Sequence, residues 1–255
     1  MRIAVAGGTG TLGRQVSAEL TRRGHEVRVL SRSSPEFPVD LASGRGLESA
    51  LAGCGAVVDA SNAQRQARQV MVDGSARLLA AAQRAGVGHH VCISIVGCDR
   101  VPMGYYRVKV DQERVVTQGP VPWTIVRATQ FHELVAGLFT AAARYRVLPA
   151  PAMPMQPVAA ADVARVLADA AESDPSGGRI SVAGPQVVSV PELARAWLAA
   201  TGRSAVLLPV PLAGSLGRAL RSGALTAANA DVTGEITFAD WLALELSEHI
   251  FGSSL

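Results

Sequence analysis

A chain of 255 residues with 49% hydrophobic and 18% charged side chains can bury a sizeable core and is not the composition of a disordered protein. A formal net charge of +3, carried by scattered arginines, excludes the clustered basic surface of a nucleic-acid binder. Cys54, Cys92 and Cys98 form no C-x-x-C pair, which excludes a disulfide framework or zinc site and points to a reducing compartment. The N-terminal apolar run of about five residues is too short for a signal peptide. No stretch approaches the roughly 18 apolar residues of a membrane helix. A cytoplasmic protein without a membrane partner is expected.

Short β-branched runs alternate with longer Ala/Leu/Arg-rich segments. Strands are expected at 2–7, 25–30, 56–60, 89–96 and 122–128, and helices near 11–23, 44–52, 64–86 and 105–118. That alternation predicts an α/β fold with a doubly wound parallel sheet and helices on both faces. Gly24, Gly86 and Gly119 follow helical patterns, where a left-handed stop is expected. From about 129 the pattern loosens, and four prolines in "LPAPAMPMQP" at 148–157 exclude a helix there. A helix at 160–173, a strand at 178–184 and a helix at 190–202 follow, and 225–246 ends in an amphipathic segment. The expected organisation is a nucleotide-binding domain at 1–150, with 156–184 returning to its sheet, and a small substrate-binding lobe at 185–255.

"VAGGTGTLGR" joins the first strand to the first helix, with Gly7, Gly10 and Gly13 three residues apart. A pyrophosphate needs backbone N–H groups at close range and a helix N-terminus aimed at it, so side chains are excluded from the turn. The strand–loop–helix setting gives the glycine triplet its weight, and the amides of Thr9, Thr11 and Leu12 belong to the same cradle. An NAD site carries an acid after the second strand. Here the stretch reads "LSRSS", with no acid from 31 to 34. Arg32 suits a 2′-phosphate through charge-assisted hydrogen bonds, assisted by Ser31, Ser33, Ser34 or Arg14, so NADP is preferred to NAD.

Lys109, in "GYYRVKVDQE", is the one lysine of the chain. In so arginine-rich a composition a neutral surface position would hold arginine, so a functional role is expected. Tyr105 and Lys109 satisfy Y-x-x-x-K and share a helical face at i, i+4. A lysine beside a phenol favours the phenolate and makes the tyrosine a usable proton donor. Trp123, Phe131, Trp197, Phe238 and Trp241 could line a substrate pocket but are expected mostly in cores, and His132 as a satisfied polar residue. Asp162 is expected as a helix N-terminal charge.

Together with "PWTIVRATQF", "VDLASGRGLESALAGCGAVVDA", "VAAADVARVLADA" and "ISVAGPQVVSVPELARAW", these motifs resemble the NmrA-like group of atypical short-chain dehydrogenases/reductases over most of the chain. The resemblance implies a Rossmann-type fold that binds NADP(H). It places Asp40 and Leu41 at the adenine, Ser61 and Asn62 at the ribose and phosphates, and Ser94 near the nicotinamide. Thr129 to Phe131 then line the nicotinamide and substrate pocket, and the ammonium of Lys109 holds the ribose hydroxyls. Of the wider family's Ser–Tyr–Lys triad, Ile95-Val96-Gly97 occupy the usual serine place, so Ser94 alone stands in for it, with Tyr105 or Tyr106 as proton donor. The implied activity is NADPH-dependent reduction of a small apolar carbonyl, quinone or enone. The group also contains cofactor sensors that signal without turnover.

Overall fold

The computed structural model describes residues 1–252, with side chains through Ser247. The first half runs β1 (Arg2–Ala6), α1 (Thr11–Arg22), β2 (Glu26–Leu30), α2 (Leu47–Leu51), β3 (Ala56–Asp59), α3 (Gly74–Arg84), β4 (His89–Ile95), α4 (Gly104–Thr117) and β5 (Trp123–Ala128). It continues through α5 (His132–Ala143), β6 (Val147–Pro149), β7 (Pro154–Met155), α6 (Ala160–Glu172), β8 (Arg179–Ala183) and β9 (Val188–Ser189). The last elements are α7 (Val190–Thr201), β10 (Val206–Leu208), α8 (Gly214–Arg221), β11 (Val232–Thr233) and α9 (Phe238–Gly252). Seven of the strands form one parallel sheet in the order β11-β8-β5-β4-β3-β1-β2.

The side chains of β1 show why both faces are covered. Ile3 and Val5 point to the layer of α1 and α6, where Leu12, Val16, Leu20, Val163 and Leu167 are buried. Ala4 and Ala6 point to the other face, with Leu47, Leu51, Leu78, Leu79 and Val116 from α2, α3 and α4. Period-2 alternation with both phases apolar is what a doubly covered parallel strand requires. A third cluster joins Val135 and Phe139 of α5 to Leu193 and Trp197 of α7 and Phe238 and Leu242 of α9. Trp197 and Phe238 are therefore core, as expected, while Trp123 and Trp241 are partly buried at core edges.

Three local features depart from the expected elements. α2 is shorter than 44–52 because Gly44 and Gly46 hold φ of +82° and +84°, outside the helical region. The segment before α3 is a π-helical turn at Arg68–Asp73. α5 falls where no element was expected. Its apolar side chains are spread around the helix, with Val135 and Phe139 buried but Leu134 and Leu138 exposed, so no single stripe marks it. The strand expected at 178–184 joins the sheet as β8, and β11, from the expected lobe, pairs beyond it through Val232↔Val182.

Candidate functional site

The strand order reverses between β1 and β3, and a cleft of about 1010 Å³ opens at the carboxyl ends of the strands beside that point. This is where open α/β sheets bind ligands. Gly7, Thr9, Gly10, Thr11, Leu12, Ser31, Arg32, Asp40, Leu41, Ser61, Asn62, Ser94, Tyr105, Lys109 and Thr129 all line it. Gly13 lies behind the loop instead. A Cβ there would collide with Gly7 O and stand 2.7 Å from Gly8 Cα. Gly7 has φ +71°, and a Cβ on it would come within 2.8 Å of Ser61 Cα, so the loops after β1 and β3 meet backbone to backbone. Gly10 is the N-cap of α1 and supplies no side-chain cap. The first amides of that helix therefore face the cleft without a protein acceptor among the described residues, as an anion site requires. Ser61 Oγ is also buried there without a partner among the described residues. Glycine cradle, uncapped amides and orphaned hydroxyl fit a dinucleotide's pyrophosphate and ribose.

At the β2 end, Arg32 is exposed and makes no ion pair among the described residues. Ser31 Oγ lies 3.3 Å from Ser33 Oγ. Arg14 donates to Thr9 O at 2.7 Å and braces the loop. Ser34 is buried and accepts from Phe37 N, which turns it inward. The Asp40 carboxylate accepts from Ser43 Oγ (2.8 Å) and Ala42 N (3.1 Å). Those bonds, with help from Arg32, hold it below the usual carboxylate range.

At the β4 and β5 end, Lys109 is 3% exposed although it lines the cleft. Its Nζ donates to Ile93 O (3.2 Å) and Gln112 Oε1 (3.0 Å), which leaves one of three N–H donors. Tyr105 is one turn earlier, and its OH donates to Asn62 Oδ1 at 2.8 Å. The phenol does not show the lysine-assisted lowering of its pKa that the Y-x-x-x-K spacing predicts. Burial raises the phenol above its usual value, and the Asn62 bond opposes this only in part. Tyr106 packs against Tyr105 with ring centroids 5.9 Å apart.

Ser94, expected as a catalytic group near the nicotinamide, is instead bonded within the fold. It is buried, and its Oγ donates to Glu113 Oε1 at 2.5 Å. Glu113 in turn receives Arg127 at 2.8 and 2.7 Å and Arg179 at 2.9 Å. The Ser94 proton is therefore committed to a carboxylate inside the fold. Replacing Ser94 with Ala should change any turnover less than about threefold. It should instead lower stability by about 1.5–3 kcal/mol, the range for a hydrogen bond to a charged group, read by chemical denaturation. Thr129 is similarly engaged: its Oγ1 donates to Gln156 O at 2.6 Å and clamps the end of β5 to the proline-rich segment.

Sequence reasoning missed Gln112, Glu113, Asp59, Ser75 and Glu133. Lys109, Gln112, Glu113 and Val116 form the buried face of α4, so the i, i+3, i+4 spacing from Lys109 was the available signal. It was hidden because that face is polar where a core face is expected to be apolar. Glu133 lines the cleft with Oε2 buried and without a partner among the described residues, and burial raises its carboxyl above the usual range. His132 is fully buried, with Nε2 3.0 Å from Ile236 O. Asp162, in the first turn of α6, accepts from Glu235 N at 3.1 Å and pairs with Arg165. Among the described residues no helix is long and apolar enough to cross a membrane.

A glycine cradle at the switch point of a parallel sheet, ahead of an uncapped helix, defines a dinucleotide-binding α/β protein of Rossmann type. The NAD(P)H-binding family pattern matches residues 7–174, and the chain belongs to that family. It is 32% identical over 155 residues to Photosystem II assembly factor Ycf39 of Synechocystis, a match covering 54% of this chain and 48% of that protein. The chain thus spans about half the length of the curated relatives it matches. The NADPH complex of the NADPH-dependent quinone oxidoreductase QOR2 from Escherichia coli superposes with TM-score 0.79, covering 96% of this chain and 99% of that one at 18% identity. UDP-glucose 4-epimerase of Thermus thermophilus with NAD superposes with TM-score 0.70, covering 98% and 93% at 21% identity. These structures share the fold, in keeping with the short-chain dehydrogenase/reductase resemblance of the sequence.

Proposed function

We propose that this protein is a reductase that uses NADPH on a small, largely apolar carbonyl, quinone or enone. The observation that carries the reading is a single cleft with the phosphate cradle and Arg32 at one end and Lys109 and Tyr105 at the other. Around that second end stand Ile93, Ile95, Tyr106, Ala128, Phe131 and Leu134, a wall that favours a flat apolar substrate. Bound NADPH supplies the hydride. The residues supply the rest. The α1 amides hold the pyrophosphate, and the remaining N–H of Lys109 meets the ribose. Tyr105 gives a proton to the substrate oxygen, and burial keeps the phenol protonated, the state from which a donor starts. Loss of NADPH absorbance with a panel of quinones and enones tests this. No turnover across the panel by protein that binds NADPH would overturn it.

The similarity to an assembly factor favours a second reading, an NADP(H)-binding sensor or regulator without turnover. Capture of a partner that depends on added cofactor, with no activity in the panel, is its expected result.

The preference for NADPH rests on Arg32. Arg32→Ala should weaken NADPH by about tenfold or more, corresponding to about 1.5–3 kcal/mol for a charge-assisted phosphate contact, and leave NADH unchanged. Fluorescence titration reads both, and equal wild-type affinities for the two cofactors would exclude the assignment.

A further inference from the structure

Lys109 is buried, yet both of its hydrogen-bond acceptors, Ile93 O and Gln112 Oε1, are neutral. A buried ammonium needs a counter-charge, and two buried carboxylates lie close by. Glu113 is already matched by Arg127 and Arg179. The other is Asp59, fully buried at the end of β3. Every hydrogen-bonding group on it is a donor: Ser61 N at 3.0 Å, Ser75 Oγ at 2.8 Å and Gln112 Nε2 at 3.3 Å. That is the pattern of an ionised carboxylate. Its other neighbours bring no positive charge. His90 is driven by burial well below its ordinary pKa and is neutral, and the Cys92 thiol is pushed up by burial and stays protonated. Gln112 also accepts nothing from Asp59; its amide bonds Asp59 and Ser75 on one side and its carbonyl accepts from Lys109 on the other.

We propose that Asp59 is the buried counter-charge of Lys109, acting through Gln112, and that Asp59, Ser75 and Gln112 are positioning residues that aim the ammonium at the cleft. The consequence for the cofactor end rests on the reductase reading above; the charge relay itself does not. The same carboxylate holds the Ser61 amide, and Tyr105 holds Asn62. One network therefore fixes the lysine and the loop after β3 against each other. Gln112 is suited to the bridge because an amide presents an acceptor and a donor at once. It passes polarity from Asp59 to Lys109 without a second charge.

The single lysine makes the test direct, since protein labelled with ¹⁵N-lysine has one Nζ signal. In wild type a slowly exchanging ammonium cross-peak is expected. It should disappear into exchange with water in Gln112→Met, which keeps chain length but removes the bridge, and in Asp59→Asn, which keeps shape but removes the charge. The double variant Asp59→Asn/Gln112→Glu moves the negative charge next to Lys109 and should restore the peak. A purely structural role for these side chains predicts no such rescue. Turnover, where the wild type has it, should fall about 10²-fold in the single variants, the scale of a misplaced active-site group, and recover partly in the double. A wild-type peak retained in folded Gln112→Met or Asp59→Asn, or no recovery in the double variant, overturns the proposal. Should Gln112→Met fail to fold, Asp59→Asn and the double variant decide it. A wild-type peak that ignores added NADPH counts against the reductase reading and leaves the relay to be judged on the variants.

Discussion

On the reductase reading proposed above, Lys109→Met should reduce NADPH-dependent turnover by roughly 10²–10⁴-fold, the contribution of a positioned acid–base or charged group, while NADPH affinity falls much less. The aliphatic stem is retained, and the pyrophosphate cradle at Gly7 to Leu12 and the exposed Arg32 lie at the other end of the cleft. Lys109→Arg should be nearly as inactive despite keeping the charge. Lys109 is 3% exposed, and its ammonium sits between Ile93 O and Gln112 Oε1 at 3.2 and 3.0 Å. A planar guanidinium with five N–H groups in a fixed fork cannot replace a compact donor there without displacing α4 from the sheet. Steady-state kinetics and cofactor titration on the same preparations separate the two effects. An Arg variant as active as wild type would remove Lys109 from the mechanism.

Much of this site was legible because it is written in local rules. Gly7 and Gly13 are required by close approach, which is visible in the Cβ positions that they cannot accommodate. The uniqueness of Lys109 is a compositional signal, and burial of the side chain at the cleft wall is its structural counterpart. The parts that were not legible depend on contacts far apart in sequence. Glu113 gathers Ser94, Arg127 and Arg179 from three strands, and nothing in "VDQER" distinguishes its buried carboxylate from a solvated one. Tyr105 was expected to answer to Lys109, four residues away, but bonds Asn62, 43 residues away. Side-chain pairing across elements overrides helical spacing. Asp59 reads locally as the last residue of a strand, and its meaning comes only from Ser75 and Gln112 on two different helices.

Gly10→Val and Gly13→Ala should both abolish NADPH binding, by about a hundredfold or more, equivalent to about 3 kcal/mol, but for different reasons that stability measurements can tell apart. Gly10 has φ −74° and ψ 172°, open to any residue, and a Cβ on it would stand 3.2 Å from Gly7 O. A valine therefore suits the backbone angles and presses on Gly7 O closely enough that the loop gives a little, and as a poorer N-cap it costs the helix about 1 kcal/mol. Its branched side chain then occupies the space over the α1 amides that a phosphate must reach. Binding should vanish with circular dichroism and melting near those of wild type. Gly13 is the opposite case. The Cβ of alanine would collide with Gly7 O and stand 2.8 Å from Gly7 C and 2.7 Å from Gly8 Cα. All of these are backbone atoms tied to β2 through Gly7 N and Gly8 N donating to Leu30 O. The loop and the start of α1 must separate, so Gly13→Ala should lose about 1–3 kcal/mol of stability, the cost of overpacking, together with the site. Isothermal titration with NADPH and thermal melts of the two variants check the pair. Retained affinity in Gly10→Val would mean that the pyrophosphate lies elsewhere, and an unchanged melting temperature in Gly13→Ala would mean that the helix does not pack on the loop as closely as its glycine allows.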